Sequence, residues 1–333
     1  MLTVSHRIQI GSDIWSSTEH SRLLALQCSA VFGVPVNECR VTMTYPKGIS
    51  AKPGDVVEVK LGYGSDLQLV FTGEIASADW QTDRITIYAE SAMRRLVLGR
   101  LNSFFEKSKA GDIVSNACSE LDVPKGTVDS GLDFPFYAMG DRISAYSHLK
   151  MLAERCGFDL FADEKDKLVF SKSYPTESHD FQFGVNILSI TADAPDAGVE
   201  GVEVYGESPS SLGEGPTAAS WLTKKEVKGS AGSTSGIVRR ISDPSARSQQ
   251  GSAQMAEALL GALSTKKRGI LKTLGAPKVK LGHTVKVSKM PAGDQNGSFK
   301  VTGVEHRIGR GKGWVTVLGI ESTEGGLLAG LGF

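Results

Sequence analysis

The chain holds four cysteines and six histidines, the residue types from which a nucleophile, a base or a soft-metal site would be built. A thiolate beside an imidazole does acyl transfer or hydrolysis, and four such groups close around zinc. Cys28, Cys39, Cys118 and Cys156 are scattered and form no CxxC pair. In a cytosolic chain such thiols read as reduced, buried small hydrophobes, and zinc spacing is missing. His148 and Cys156 lie eight residues apart in "HLKMLAERC" and would share a helix face. A hydrolase using Cys156 or Cys118 with a histidine is therefore the enzymatic alternative. His283 and His306 fall in a strand-rich region, where two imidazoles without a third ligand make a poor metal site. Asp163, Glu164 and Asp166 cluster in "ADEKDK", and a solvated turn accounts for them. The sequence contains no GxxxxGK[ST], HExxH, EF-hand or GxSxG pattern, and "GRGKG" at 309–313 sits between strands as a hairpin turn would. No residue earns a catalytic, cofactor-binding or metal-ligating role, and no cofactor is expected.

The elements that would carry these residues are clearer. Ile143, Tyr146, Leu149, Leu152 and Ala153 recur at helical spacing, which predicts a helix over 143–156 capped near Ser144 and ended by Gly157. "FDLFADEKDKLVFSKS" follows as a β-hairpin. Upstream, Cys39, Val41, Met43 and Tyr45 share one face of a strand. Val57, Val59 and Leu61 do so in a second, and Ile85 and Ile87 in a third. "KPGD" at 52–55 is a turn. Residues 18–32 fit either a helix or a buried strand. "AGDIVSNACSELDVP" is a helix with Asp112 near its positive end and Pro124 beyond it. Strands return near 183–206, and the Ser-, Gly- and Thr-rich stretch 207–236 reads as a long loop. "SAQMAEALLGALSTKKR" is a helix with Met255, Leu259, Leu260 and Leu263 in one stripe, and Lys266, Lys267 and Arg268 at its negative end. Strands fill 277–321.

At 333 residues, with 40% hydrophobic and 22% charged residues, the chain can hold two or three domains with real cores. No apolar run reaches membrane-span length, and the N-terminus lacks the basic start and apolar stretch of a signal peptide, so a beginning in the cytosol is expected. Net charge is zero, yet residues 153–223 hold thirteen acids against four bases, and residues 224–280 hold twelve bases against three acids. Opposed charge points to docking, within the chain or between copies. The basic runs carry no interleaved aromatics, so specific nucleic-acid binding is not expected. The four tryptophans are dispersed, which argues against a carbohydrate-binding β module. A repeat links the two β regions: Gly54 of "GDVVEV" answers Gly282 of "GHTVKV", Gly73 answers Gly303, and Ile85 answers Val315. Asp79 and Trp80 match Glu305 and His306.

The expected architecture is thus a β-rich α+β chain with a duplicated β module. Its parts are 1–98; an α/β middle at 99–175; 176–225 with 269–322; a loop and helix insertion at 226–268; and an apolar Gly-rich tail at 323–333. The ordered segments "GDVVEVKLGYG", "FTGEI", "RRLVLGRLNSFFEKSKAGDIVSNACSELDV", "SAYSHLKMLAERCGFDLFADEKDKLVF" and "KVTGVEH" resemble the phage late control protein D family. These are the baseplate hub proteins of contractile tails and contractile injection systems, similar also to the N-terminal part of type VI secretion spike proteins. The resemblance covers most of 40–320. It implies two tail-tube-like β-barrel domains and a structural, non-enzymatic role as a homotrimer that joins a hexameric inner tube to a trimeric spike. The chain ends soon after its second β module, so the spike is expected to be a separately encoded protein. The resemblance further implies a tail tube or tube-initiator protein and other baseplate proteins as partners, with tape measure or cargo in the channel. Assembly would take place in the bacterial cytoplasm, and the protein would reside in the baseplate of the particle. Leu327, Leu328, Leu331 and Phe333 of the tail would give an apolar strip for the spike.

Overall fold

In a computed structural model of the chain, the described residues are all except 1–2, 18–21, 45–50, 173–175, 194–197, 207–226, 265, 312 and 324–333. The apolar tail and Tyr45 lie outside them, as does most of the expected loop at 207–236. The first β unit comprises β1 (Val4–Ile10), β2 (Asp13–Ser16), β3 (Leu23–Val31), β4 (Glu38–Thr44), β5 (Val56–Tyr63), β6 (Asp66–Trp80) and β7 (Arg84–Glu90). Period-two alternation places Val41, Met43, Val57, Val59, Leu61, Ile85 and Ile87 fully inside, with Cys39 beside them. The open choice at 18–32 resolves as a strand over 23–31, because Leu26 and Cys28 point inward between exposed Ala25 and Gln27.

The middle unit runs α1 (Met93–Leu98), β8 (Ser103–Lys109), α2 (Ala110–Glu120), β9 (Lys125–Val128), β10 (Asp133–Met139), α3 (Ala145–Cys156), β11 (Asp159–Ala162) and β12 (Leu168–Ser171). The ends of α3 are set locally. Ser144 Oγ accepts the Ser147 amide at 3.1 Å, and Gly157 takes the left-handed φ of 67° that closes the helix. Asp112 accepts the Lys109 amide in the first turn of α2.

Next come β13 (Ser178–Gln182) and β14 (Ile187–Asp193), then β15 (Gly201–Tyr205), β16 (Lys228–Gly232), β17 (Val238–Ser242) and α4 (Gln249–Leu263). The chain closes with β18 (Arg268–Leu274), β19 (Thr284–Ser288), β20 (Gly297–Gly309) and β21 (Gly313–Ser322). Residues 201–205 do not join the second β unit. β15 pairs β16 and β17 in a separate sheet, and its Val202 and Val204 share one core with Met255, Ala256 and helices α1–α3. The reason is that β15 is buried on both faces, so α4 must cover it. α4 starts earlier than its apolar stripe predicts, because Ser248 caps it by accepting the Gly251 amide at 3.0 Å. It also stops before the basic run. Lys266 and Arg268 bind Glu321 at 2.7 and 2.9 Å instead of the helix end.

The duplication orders most of the sheet, although β1 pairs β5 antiparallel whereas β13 pairs β19 parallel. In space, the first unit runs β1-β5-β6-β7-β4-β3, and the second runs β13-β19-β20-β21-β18-β14. The same order holds along the sequence, so β3 corresponds to β14, β4 to β18, and β5, β6, β7 to β19, β20, β21. Gly54 (φ 91°) and Gly282 (φ 78°) open matching turns, their amides donating to Ile75 O and Val301 O. β6 and β20 are each bulged at the equivalent place, between Ile75 and Ser77 and between Val301 and Gly303. This fixes the register and corrects two sequence anchors. Gly303 corresponds to Ser77 and not Gly73, while Asp79 and Trp80 do match Glu305 and His306. Val315 faces outward, and the buried partners along β21 are Trp314, Thr316, Leu318 and Ile320.

Candidate assembly interface

Of the residues singled out for chemistry, Cys28 and Cys39 are brought together and the other cysteines and histidines are held in separate settings. His148 accepts from the Tyr137 hydroxyl at 3.1 Å and donates from Nε2 to Gly140 O at 2.9 Å. Cys156 accepts the Leu132 amide at 3.4 Å, and burial pushes its thiol up to about 11. Burial does the same to Cys118, also to about 11. Neither is a thiolate at neutral pH, so neither is an activated nucleophile. Cys28 and Cys39 face each other across β3 and β4 with Sγ atoms 2.8 Å apart, deep in the first core. His306 is buried against Thr316 Oγ1 at 3.0 Å, and burial lowers its pKa to about 3, which keeps it neutral.

The hairpin tip departs from expectation. Asp163 serves the turn, accepting the Lys165 and Lys167 amides. Asp166, at φ 60°, is buried and accepts the Ala92 amide with both oxygens, at 2.8 and 3.0 Å. A tip expected in water is thus docked on the end of the first β unit, beside Asn37, whose side-chain amide donates to Ala162 O at 2.9 Å. Sequence reading also missed Glu177 and His179, which the β13–β19 register brings to His283; nothing in the local pattern flags them.

The opposed charges meet inside the chain. Glu203 binds Lys228 and Arg240 at 2.9 and 2.8 Å, and Arg155 binds Asp243 at 2.7 Å. Lys228 foremost, with Tyr205 and Arg240, holds the Glu203 carboxyl down to about 2.

The site the fold leaves for a partner is a pair of strand edges. β20 outlasts β19, and β3 takes the vacated side, pairing Ala25–Val31 with Gly303–Gly309. This fuses the two units into one 13-stranded sheet. Trp314 completes the joint by entering the core of the first unit, 5.2 Å centroid to centroid from Tyr63, whose hydroxyl donates to Gly275 O at 3.1 Å. The equivalent of that docking does not occur at the other ends. Beyond Glu74, where β5 stops, Ser77–Asp79 of β6 pair β7 alone among the described strands. Among the described strands β14, the counterpart of β3, pairs only β18 and ends the sheet. One chain therefore carries one such joint and leaves β14 and the Ser77–Asp79 edge of β6 each with no second neighbour among the described strands.

Known proteins share this fold. The prophage MuSo2 43 kDa tail protein from Shewanella oneidensis superposes with a TM-score of 0.67 at 14% identity, covering 95% of this chain and 98% of that one. The tail protein from Neisseria meningitidis MC58 gives 0.66 at 12% identity, covering 96% of each chain. The E. coli c3393 protein, described as a component of the type VI secretion system with structural similarity to T4 bacteriophage tail proteins gp27 and gp5, gives 0.57 at 12% identity over 94% of this chain and 76% of that one. The fold is that of phage tail proteins, as the resemblance to baseplate hubs implied. A search of curated protein sequences finds no match. At the level of sequence, residues 47–310 match the family described as Alg8 N-terminal domain, and the chain belongs to that family.

Proposed function

We propose that the protein is a baseplate hub of a contractile tail or injection particle, three copies closing into a ring that joins a sixfold inner tube to a threefold spike. Carrying the reading is that pair of strand edges. In the ring, β14 of one copy lies on the Ser77–Asp79 edge of the next as β3 lies on β20 within the chain. Three internal and three intermolecular joints then alternate around one axis, giving six similar β units. Closed cyclic symmetry needs such a head-to-tail contact, and closure covers strand edges that would otherwise invite aggregation. The two β units act as the tube-like modules, and the α/β middle and 226–268 insertion are the material between them. Their fold is shared with tail proteins and a type VI secretion component, which supports a structural role. The raised thiols and hydrogen-bonded histidines support the absence of catalysis. Cryo-EM of the native particle tests the reading: three hub chains and six similar β units around a channel are expected. Six hub chains, or units that stay unpaired between copies, would overturn it.

A further inference from the structure

We propose that Glu177, His179 and His283 form a binding site for one divalent transition-metal ion of the zinc type. Nε2 of His179 and Nδ1 of His283 lie 2.9 Å apart, with the rings nearly parallel at 17°. A Glu177 carboxylate oxygen and one ring nitrogen of each histidine all lie within 4.8 Å of one another. Tetrahedral zinc with Zn–N bonds of about 2.0–2.1 Å sets its ligands about 3.3 Å apart, so the imidazoles would part by about 0.4 Å and turn until both lone pairs meet at the ion.

The backbone presents the three groups together. Glu177, just ahead of β13, and His179 within it are two apart, a spacing that suits one side of an extended chain. β13 runs parallel to β19 in the register Ser178 to Thr284, and the Thr284 amide donates to Glu177 O at 2.9 Å. His283 arrives from the turn ahead of β19, where Gly282 takes a positive φ. Two neighbouring ammonium groups are turned elsewhere: Lys280 Nζ donates to Leu69 O, and Lys278 binds Asp66 at 3.0 Å.

The chemistry suits the ion. The hydrogen bond between the two facing ring nitrogens requires one of them to be unprotonated and to present a lone pair. As the rings stand, one of the two facing nitrogens donates to the other. The Lys280 amide, 3.4 Å from His283 Nδ1, makes that atom the acceptor and His179 Nε2 the donor. Binding then moves the His179 proton from Nε2 to Nδ1, and no proton need be lost. Two imidazoles and a carboxylate favour zinc, cobalt or nickel over magnesium or calcium, and leave a fourth position for water. The ion would tie β13 to the turn before β19, clamping the first strand pair of the second β unit.

The test is titration of the full chain, purified without a histidine tag and freed of metal by a chelator, with zinc chloride in a calorimeter. One ion per chain is expected, with a rise in melting temperature that tracks occupancy. Cobalt(II) should give the visible spectrum of a tetrahedral site. His179→Ala and His283→Ala should each weaken binding by more than the roughly 10–100-fold that loss of a supporting outer-shell partner costs, and Glu177→Gln by less. His179→Gln keeps a hydrogen-bond donor and serves if an alanine variant fails to fold. Absence of saturable binding, or binding that survives in folded His179 and His283 variants, would overturn the site.

Discussion

Replacing Asp166 by Asn should change how the stability of the protein depends on pH. Burial pushes the Asp166 carboxyl up to about 7, against an ordinary value of 3.8, with Glu74 adding repulsion and the Ala92 amide and Arg95 pulling the other way. A raised acid pKa means the folded chain binds the proton more tightly than the unfolded one. Its contribution to stability is full below the ordinary value and is lost as pH rises through about 7. Between about pH 8 and pH 5 some two units of that shift titrate, worth roughly 3 kcal/mol at about 1.36 kcal/mol per unit, as an upper bound. Histidines oppose this trend below their ordinary 6.5, since burial lowers His306 to about 3 and also depresses His6, His179 and His283. The comparison must therefore be between variants. Asn keeps an oxygen for the Ala92 amide and tolerates the left-handed φ, so Asp166→Asn removes the titration and little else. Urea unfolding of both proteins at the two pH values should show the variant gaining relative to wild type at the higher pH, by up to that amount. Parallel pH profiles would refute the reasoning, because Asp166 would then be ionised and well solvated in the folded chain.

Two other outcomes follow from the packing. A methyl group on Gly275 would fall 2.1 Å from Trp314 Cδ2, so Gly275→Ala should strain the joint between the β units and cost about 1–3 kcal/mol by thermal or urea unfolding; an unchanged midpoint would show the joint to be loose. Alkylation of the native protein near pH 8, followed by mass spectrometry, should leave Cys118 and Cys156 almost unmodified, since burial holds both thiols near 11; rapid labelling of either would reopen the hydrolase alternative.

What the sequence revealed was local. Ser144 and Gly157 mark α3 because cap and left-handed residue act within one turn. The inward faces of β4, β5 and β7 follow from alternation alone. Residues 18–32 stayed open because Leu23, Leu24, Leu26 and Val31 satisfy both periods until a partner strand chooses one. Asp166 looked solvated because its burial depends on the Ala92 amide, 74 positions away. His179 was invisible because a parallel register spanning 104 residues delivers it to His283. The repeat was legible through Gly54 and Gly282, whose positive φ both turns require. The matched bulges after Ile75 and Val301 then shifted the later anchors, since a bulge adds a residue that spacing arguments do not see. Lys266 and Arg268 were misplaced for a related reason: Ser264 ends α4 first, and Glu321 draws them to the sheet.

The intermolecular joint can be tested by a designed disulfide. Leu26 pairs with Val41 and Ile190 pairs with Leu271 at equivalent places, so the register of β3 on β20 transfers directly to β14 on β6. Ser29 lies opposite Glu305 within the chain, and the corresponding pair between copies is Asp193 opposite Asp79. In the proposed ring two facing carboxylates would weaken this joint, so closure would be firm only among its partners. Directly opposed strand residues have Cα atoms about 4.5–5.5 Å apart, within disulfide range. Oxidation of the Asp79→Cys, Asp193→Cys double variant should therefore yield covalent trimers on a denaturing non-reducing gel, with neither single variant going beyond dimers. Failure of the double variant to cross-link in assembled particles, or an open ladder running past the trimer, would contradict the ring.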